Sequence, residues 1–171
     1  MNIIIFGEMG SGKSTVAKYI KDKFDYKIFS LGSKIHSECK LHGKETRQEM
    51  QKYGQMMRQI FGENVWCDYL VESSCFEPKI VIDDARQLNE YDYFSAKGYL
   101  PIAVITDNDI RLERLSKRVN YQIDPATFNH DTEVQVRECV KKCDIKLYNN
   151  GTKEQLHKQI DLIEEMSNVH I

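Results

Sequence analysis

Apolar residues fall along this chain in two alternating patterns. Short apolar runs, NIIIF (2–6), YKIFSL (26–31), KIVID (79–83), YLPIAVIT (99–106) and DIKLYN (144–149), read as β-strands, and the continuous ones as strands buried on both faces. Between them the apolar positions recur at helical spacing. Val16, Ala17, Ile20 and Phe24 mark a helix from Lys13 to Phe24. RQLNEYDYFSAKG (86–98) predicts another, ended by Gly98 as its C-cap, and a third runs from about Asp107 to Arg118. TKEQLHKQIDLIEEM (152–166) forms a closing amphipathic helix. Residues 33–75 are mostly helical, with breaks near Gly43 and Gly62, and the polar stretch VNYQIDPATFNHDTE (119–133) interrupts the pattern. Strands alternating with helices predict an α/β fold, a parallel sheet covered on both faces. With no repeat and no linker in view, residues 1–171 are expected to form one domain.

Composition narrows the function classes. The chain has 24 basic and 26 acidic residues, a net charge of −2, and so lacks the basic surplus that would draw it to a nucleic acid polymer. No apolar stretch is long enough to cross a membrane, and the first residues read as a strand rather than a signal peptide. The five cysteines are odd in number and contain no CxxC pair. Cys139 and Cys143 stand four apart without further metal ligands, so reduced thiols and a cytoplasmic location are expected.

The chemistry begins at GEMGSGKST (7–15). Gly7, Gly12, Lys13 and Ser14 satisfy G-x-x-x-x-G-K-[ST], with Gly10, Ser11 and Thr15 completing the loop. Glycines let backbone N–H groups turn inward around phosphates, and the helix that starts at Lys13 aims its positive end at them. In such a loop Lys13 reaches the β- and γ-phosphates of a nucleotide and the Ser14 hydroxyl ligates Mg2+. IVIDDAR (80–86) then carries a buried strand into two carboxylates and an arginine. Alternation sends Asp83 and Asp84 to opposite sides of the strand. One can hold Mg2+ while the other caps a helix, and the pattern leaves open which does which. Arg86 lies beyond the sheet, where it could fork onto a phosphate.

These residues, with QKYGQMMRQIFGENVW (51–66), ERLSKR (113–118), HDTE (130–133) and DIKLYNNGTKEQL (144–156), resemble the nucleoside monophosphate kinase superfamily of P-loop proteins. Nearly the whole chain takes part. Within that superfamily it looks most like viral deoxynucleoside monophosphate kinases and their phosphomevalonate kinase relatives. The resemblance implies a three-layer α/β/α fold with a five-stranded parallel sheet, a helical acceptor-binding insertion (about 30–77) and a short lid (about 119–134). It implies ATP-dependent phosphorylation of a nucleoside monophosphate, with a dNMP as small-molecule partner, and allows a homodimer. By the same likeness Arg58 and Arg86 bind the acceptor phosphate, with Gln51 beside them and Arg47 as a further arginine. Trp66 serves either as core or as a wall of the base pocket. Arg114 lies against the donor adenine, Arg118 touches the donor phosphates, and the YNNG loop, with Asn150, borders the donor base. Lys13, Arg118 and Arg86 are the residues expected at the transferring phosphoryl group. The lid departs from its relatives, since residues 119–136 contain neither Arg nor Lys, which leaves the roles of Arg111 and Arg137 open. Phosphomevalonate or dephospho-coenzyme A as acceptor, or a nucleotide-binding switch without turnover, are the competing readings.

Overall fold

The computed structural model describes residues 1–43, 46–117 and 131–168, without the side chains of Arg47, Asp131, Thr132 and residues 167–168. Arg118, His130 and most of the expected lid therefore lie outside the described residues. Five strands, β1 (Ile3–Phe6), β2 (Lys27–Phe29), β3 (Ile80–Ile82), β4 (Leu100–Ile105) and β5 (Ile145–Tyr148), form one sheet in the order β2-β3-β1-β4-β5. All four neighbouring pairs are parallel. This is the α/β/α fold that the sequence pattern predicts.

Alternation along the strands divides the core into two layers. Ile4, Phe6, Ile80, Ile82 and Ala103 face one side, with Trp66, Phe94 and Cys139 from the helices that cover it. Ile3, Ile5, Val81, Ile102, Val104 and Leu147 face the other, against Val16 and Ile20 of α1 (Lys13–Phe24) and Leu156 and Ile160 of the last helix, which runs Lys153–Asn168. Side chains that alternate in direction along strands covered on both faces leave no polar positions between them, which is why β1 and β3 read as unbroken apolar runs, whereas the edge strands β2 and β5 keep exposed Lys27 and Lys146.

The insertion after β2 consists of three helices, α2 (Leu31–Leu41), α3 (Arg47–Phe61) and α4 (Val65–Ser73). Its breaks fall at the two glycines that predict them. Gly43 and Gly62 have φ of 65° and 98°, a region that costs glycine little and other residues much. Thr46 and Glu49 cap α3 reciprocally: the Thr46 hydroxyl accepts from the Glu49 N–H at 3.3 Å, and the Glu49 carboxylate accepts from the Thr46 N–H at 3.0 Å. Trp66 proves to be core. It is 4% exposed, its ring lies 6.2 Å from that of Tyr53, and its Nε1 donates to the Gly54 carbonyl at 3.2 Å, which ties α4 to α3. It offers no face to a base. Trp66→Phe should lower Tm by roughly 2–4 °C, the loss of one hydrogen bond of about 1 kcal/mol, and leave ligand affinity at the phosphate loop unchanged.

The remaining helices are α5 (Leu88–Ala96), α6 (Asn108–Ser116), α7 (Asp131–Lys142) and α8 (Lys153–Asn168). No described helix is long and apolar enough to cross a membrane. All five cysteines are free, with Cys75 exposed and the others buried. Burial pushes the Cys67, Cys139 and Cys143 thiols up to about 12, which keeps them protonated and unreactive.

Candidate active site

The loop between β1 and α1 leaves the middle of the sheet at the carboxyl ends of the strands, where parallel sheets collect ligands. Gly10 and Gly12 hold φ of 84° and 101°, so the sequence meets a backbone only glycine adopts readily. No side chain caps α1 at Gly12, which leaves the positive end of the helix to an anion. Two residues the motif does not contain pin the loop from below. Thr106, just past β4, donates its hydroxyl to the Ser11 carbonyl at 2.9 Å, and the Asn149 amide, just past β5, donates to the same oxygen at 2.8 Å. Each is a buried polar residue directly after an apolar strand, and that is the sequence signal by which they could have been found.

Lys13 curls back over this loop, its Nζ donating to the Gly7 carbonyl at 2.5 Å and the Glu8 carbonyl at 3.3 Å. Burial, helped by the Arg86 charge, lowers its ammonium from an ordinary 10.5 to about 8, and Glu133, Asp83 and Asp84 oppose the shift. Ser14 hydrogen-bonds the Asp83 carboxylate. Burial nonetheless pushes that carboxyl above its usual range, with the neighbouring Asp84 charge adding to the effect.

Asp84 is engaged differently. Its Oδ1 accepts from the Leu31 N–H at 2.8 Å, and its Oδ2 accepts from the Gly32 N–H at 2.8 Å and the Ser30 hydroxyl at 2.7 Å. The cause is register. β2 pairs with β3 so that Phe29 lies beside Ile82, and the start of α2 then falls beside Asp84. One carboxylate thus faces the phosphate loop and the other caps the first helix of the insertion.

Arg86 is held at both ends. Its backbone N–H donates to Glu90 at 2.7 Å, and its Nη1 donates to Glu133 of α7 at 3.0 Å. Arg58 of α3 reaches the other oxygen of Glu90 with its Nη2 at 3.6 Å, while its Nε is buried without a hydrogen-bond partner. The two arginines expected at one phosphate therefore share a carboxylate. Glu90 is buried, which pushes its carboxyl up against the pull of the Arg86 and Gln87 N–H groups. Gly10, Gly12, Lys13, Ser14, Thr15, Asp83, Asp84 and Arg86 line a single crevice of about 180 Å³. Gln51 is exposed on α3, two turns before Arg58 on the same helical stripe, and Arg47 opens that helix.

On the far side of the loop Arg114 donates its Nη2 to the Asn149 carbonyl at 3.0 Å, and the Asn150 side chain accepts from the Asp107 N–H at 2.9 Å. Arg114 and the 149–150 loop thus stand together. Arg111 is 3% exposed and ion-paired to Glu8, which Arg137 also approaches at 3.5 Å. Glu8 occupies a variable position of the motif, so no pattern in the loop announces it. Glu8 and Glu133 enter the site through pairings with residues more than 40 positions away.

A crevice built on a nucleotide phosphate loop, with a carboxylate against the loop serine and Arg86 at its rim, defines a P-loop protein of the kinase-like fold. The chain belongs to the AAA domain family, whose profile matches residues 3–141. It is 27% identical over 119 residues to a UPF0200 protein of Thermoplasma volcanium, a match that spans 68% of this chain and 66% of that protein. To a UPF0200 protein of Aeropyrum pernix it is 25% identical over 164 residues, 90% of this chain and 87% of the relative. Among solved structures, a shikimate kinase from Aquifex aeolicus matches with a TM-score of 0.65 at 22% identity, covering 99% of both chains. The likeness is one of fold.

Proposed function

We propose that this protein transfers the γ-phosphoryl group of ATP to a nucleoside monophosphate, with a deoxynucleotide as the acceptor class. The observation that carries the reading is the convergence of Lys13, Ser14, Asp83 and Arg86 on one crevice, with Arg58 of the insertion joined to Arg86 through Glu90. A hydrolase or switch has no need of two arginines held beyond the phosphate loop. A second phosphorylated substrate does. The choice of a deoxynucleotide rests on the resemblance described above.

In this reading Lys13 leaves the loop carbonyls for the β- and γ-phosphates, and the uncapped start of α1 supplies backbone N–H groups to them. Arg86 and Arg58 grip the acceptor phosphate, with Gln51 and Arg47 further along the same helix as Arg58. Arg114 and Asn150 flank the donor base, and Arg118 joins the donor phosphates. No general base is needed, because the acceptor phosphate is already an anionic nucleophile. The residues also suit magnesium: the Ser14 hydroxyl and the Asp83 carboxylate are two hard oxygen donors, already within hydrogen-bonding distance of each other. Bound by them, Mg2+ would neutralise charge on the β- and γ-phosphates.

A coupled ADP-release assay with ATP and Mg2+, run against each dNMP and NMP, phosphomevalonate and dephospho-coenzyme A, tests the proposal with Lys13→Ala as blank. Turnover with one or more dNMPs, lost in the blank, is expected. Turnover with another acceptor alone would move the protein to a sister activity, and none with any acceptor would remove the kinase reading.

A further inference from the structure

Glu133 is a carboxylate at a position where the helix would ordinarily carry an apolar residue. It stands on the stripe of α7 that carries Val136 and Cys139 into the core, and it is 2% exposed. Its Oε1 accepts from Arg86 at 3.0 Å, and its Oε2 is buried without a hydrogen-bond partner. A buried charge with one oxygen left over is costly, and such local breaches concentrate where a site needs them. Its only hydrogen-bonded partner among the described residues is an arginine of the crevice. Glu133 lies in the first turn of α7.

We infer that Glu133 is a positioning residue that orients Arg86 for the acceptor phosphate, an inference that rests on the kinase reading. An arginine has five N–H donors in a planar fork, and its usefulness to a phosphate depends on where that plane points. Glu90 fastens the Arg86 backbone and Glu133 takes one Nη1 donor, so the residue is anchored at its root and at one tip of its fork. Arg86 is 36% exposed at its side chain, which leaves it open to the crevice. Arg58 shows the same device, since its partner Glu90 is likewise a buried carboxylate. Glu133 also opposes, through its charge, the downward shift that burial imposes on Lys13.

The test compares steady-state kinetics of wild type, Glu133→Gln, Arg86→Ala and the double variant on the acceptor that the panel identifies. Glu133→Gln keeps the shape and an acceptor oxygen but removes the charge that orients the fork. It should lower kcat about tenfold and raise the acceptor KM about tenfold, with the ATP KM within about twofold of wild type, since small misplacements of a positioning group are expensive. In the Arg86→Ala background it should have no further effect. Glu133→Asp, which keeps the charge, should recover part of the loss.

Kinetics unchanged in Glu133→Gln with only a lower Tm would make Glu133 structural and overturn the inference. So would effects of Glu133→Gln and Arg86→Ala that multiply independently. A lower acceptor KM at unchanged kcat would make Glu133 a competitor of the phosphate, which overturns the inference as well. Should Glu133→Gln not fold, the comparison is made between Glu133→Asp and wild type on the same readouts. A wild type that phosphorylates nothing removes the kinase reading and this inference together, whereas a working wild type with an uncoupled Glu133 removes the inference alone.

Discussion

Lys13→Met should abolish phosphoryl transfer and make the ligand-free protein more stable. The two effects have one cause. An ammonium whose pKa falls from 10.5 to about 8 is held against its preference, because the unfolded chain binds that proton more tightly than the native one. Keeping it charged at pH 7 therefore costs stability. The side chain is only half-buried and hydrogen-bonds two carbonyls, so the cost is discounted to about 1 kcal/mol. Methionine preserves the aliphatic stem and removes the charge, which should raise Tm by roughly 2–4 °C. Turnover should fall on the order of 10³-fold, since phosphoryl transfer depends on charge placed where the transition state needs it. Calorimetry and the coupled assay on the same preparation read both. A variant that loses activity and stability together would mark Lys13 as a structural residue.

The neighbouring aspartates should separate just as cleanly. Asp83→Asn removes a carboxylate that burial already disfavours, so stability should be unchanged or slightly higher. Turnover should drop roughly 10²-fold or more, and the Mg2+ concentration needed for half-maximal rate should rise, because the oxygen facing Ser14 has lost its charge. Asp84→Asn should do the reverse. Its carboxylate accepts three hydrogen bonds at the start of α2, and an amide can offer only one oxygen to them. The expected loss is about 2–3 kcal/mol, or roughly 2–4 °C of Tm per kcal/mol, with the acceptor KM raised through a loosened insertion and the Mg2+ dependence little altered. Equal effects of the two substitutions on Mg2+ dependence would contradict the division of labour drawn from the register.

That division could not be read from IVIDDAR. Alternation says that Asp83 and Asp84 point apart, but which one meets Ser14 depends on β3 lying between β2 and β1, a fact of the assembled sheet. What was legible was local. The central strands announce themselves as apolar runs because both faces are covered, the insertion breaks at Gly43 and Gly62 because φ there is positive, and the phosphate loop carries its own spacing. The residues that hold the site in place are not legible in the same way. Thr106 and Asn149 grip Ser11 from the ends of two other strands, and Glu90 and Glu133 meet Arg58 and Arg86 across helices far apart in sequence. Trp66 shows the opposite difficulty. Its residue type suits a base pocket and a core equally, and only the packing of α4 on α3 decides for the core.

The central claim is that the phosphoryl group of ATP goes to a second phosphorylated molecule rather than to water. Following the label from ATP radiolabelled on its γ-phosphate, with Mg2+ and each dNMP in turn, tests it most directly. The expected result is label in a nucleoside diphosphate, dependent on both the dNMP and Lys13. Label recovered wholly as inorganic phosphate, at a rate indifferent to any acceptor, would contradict it.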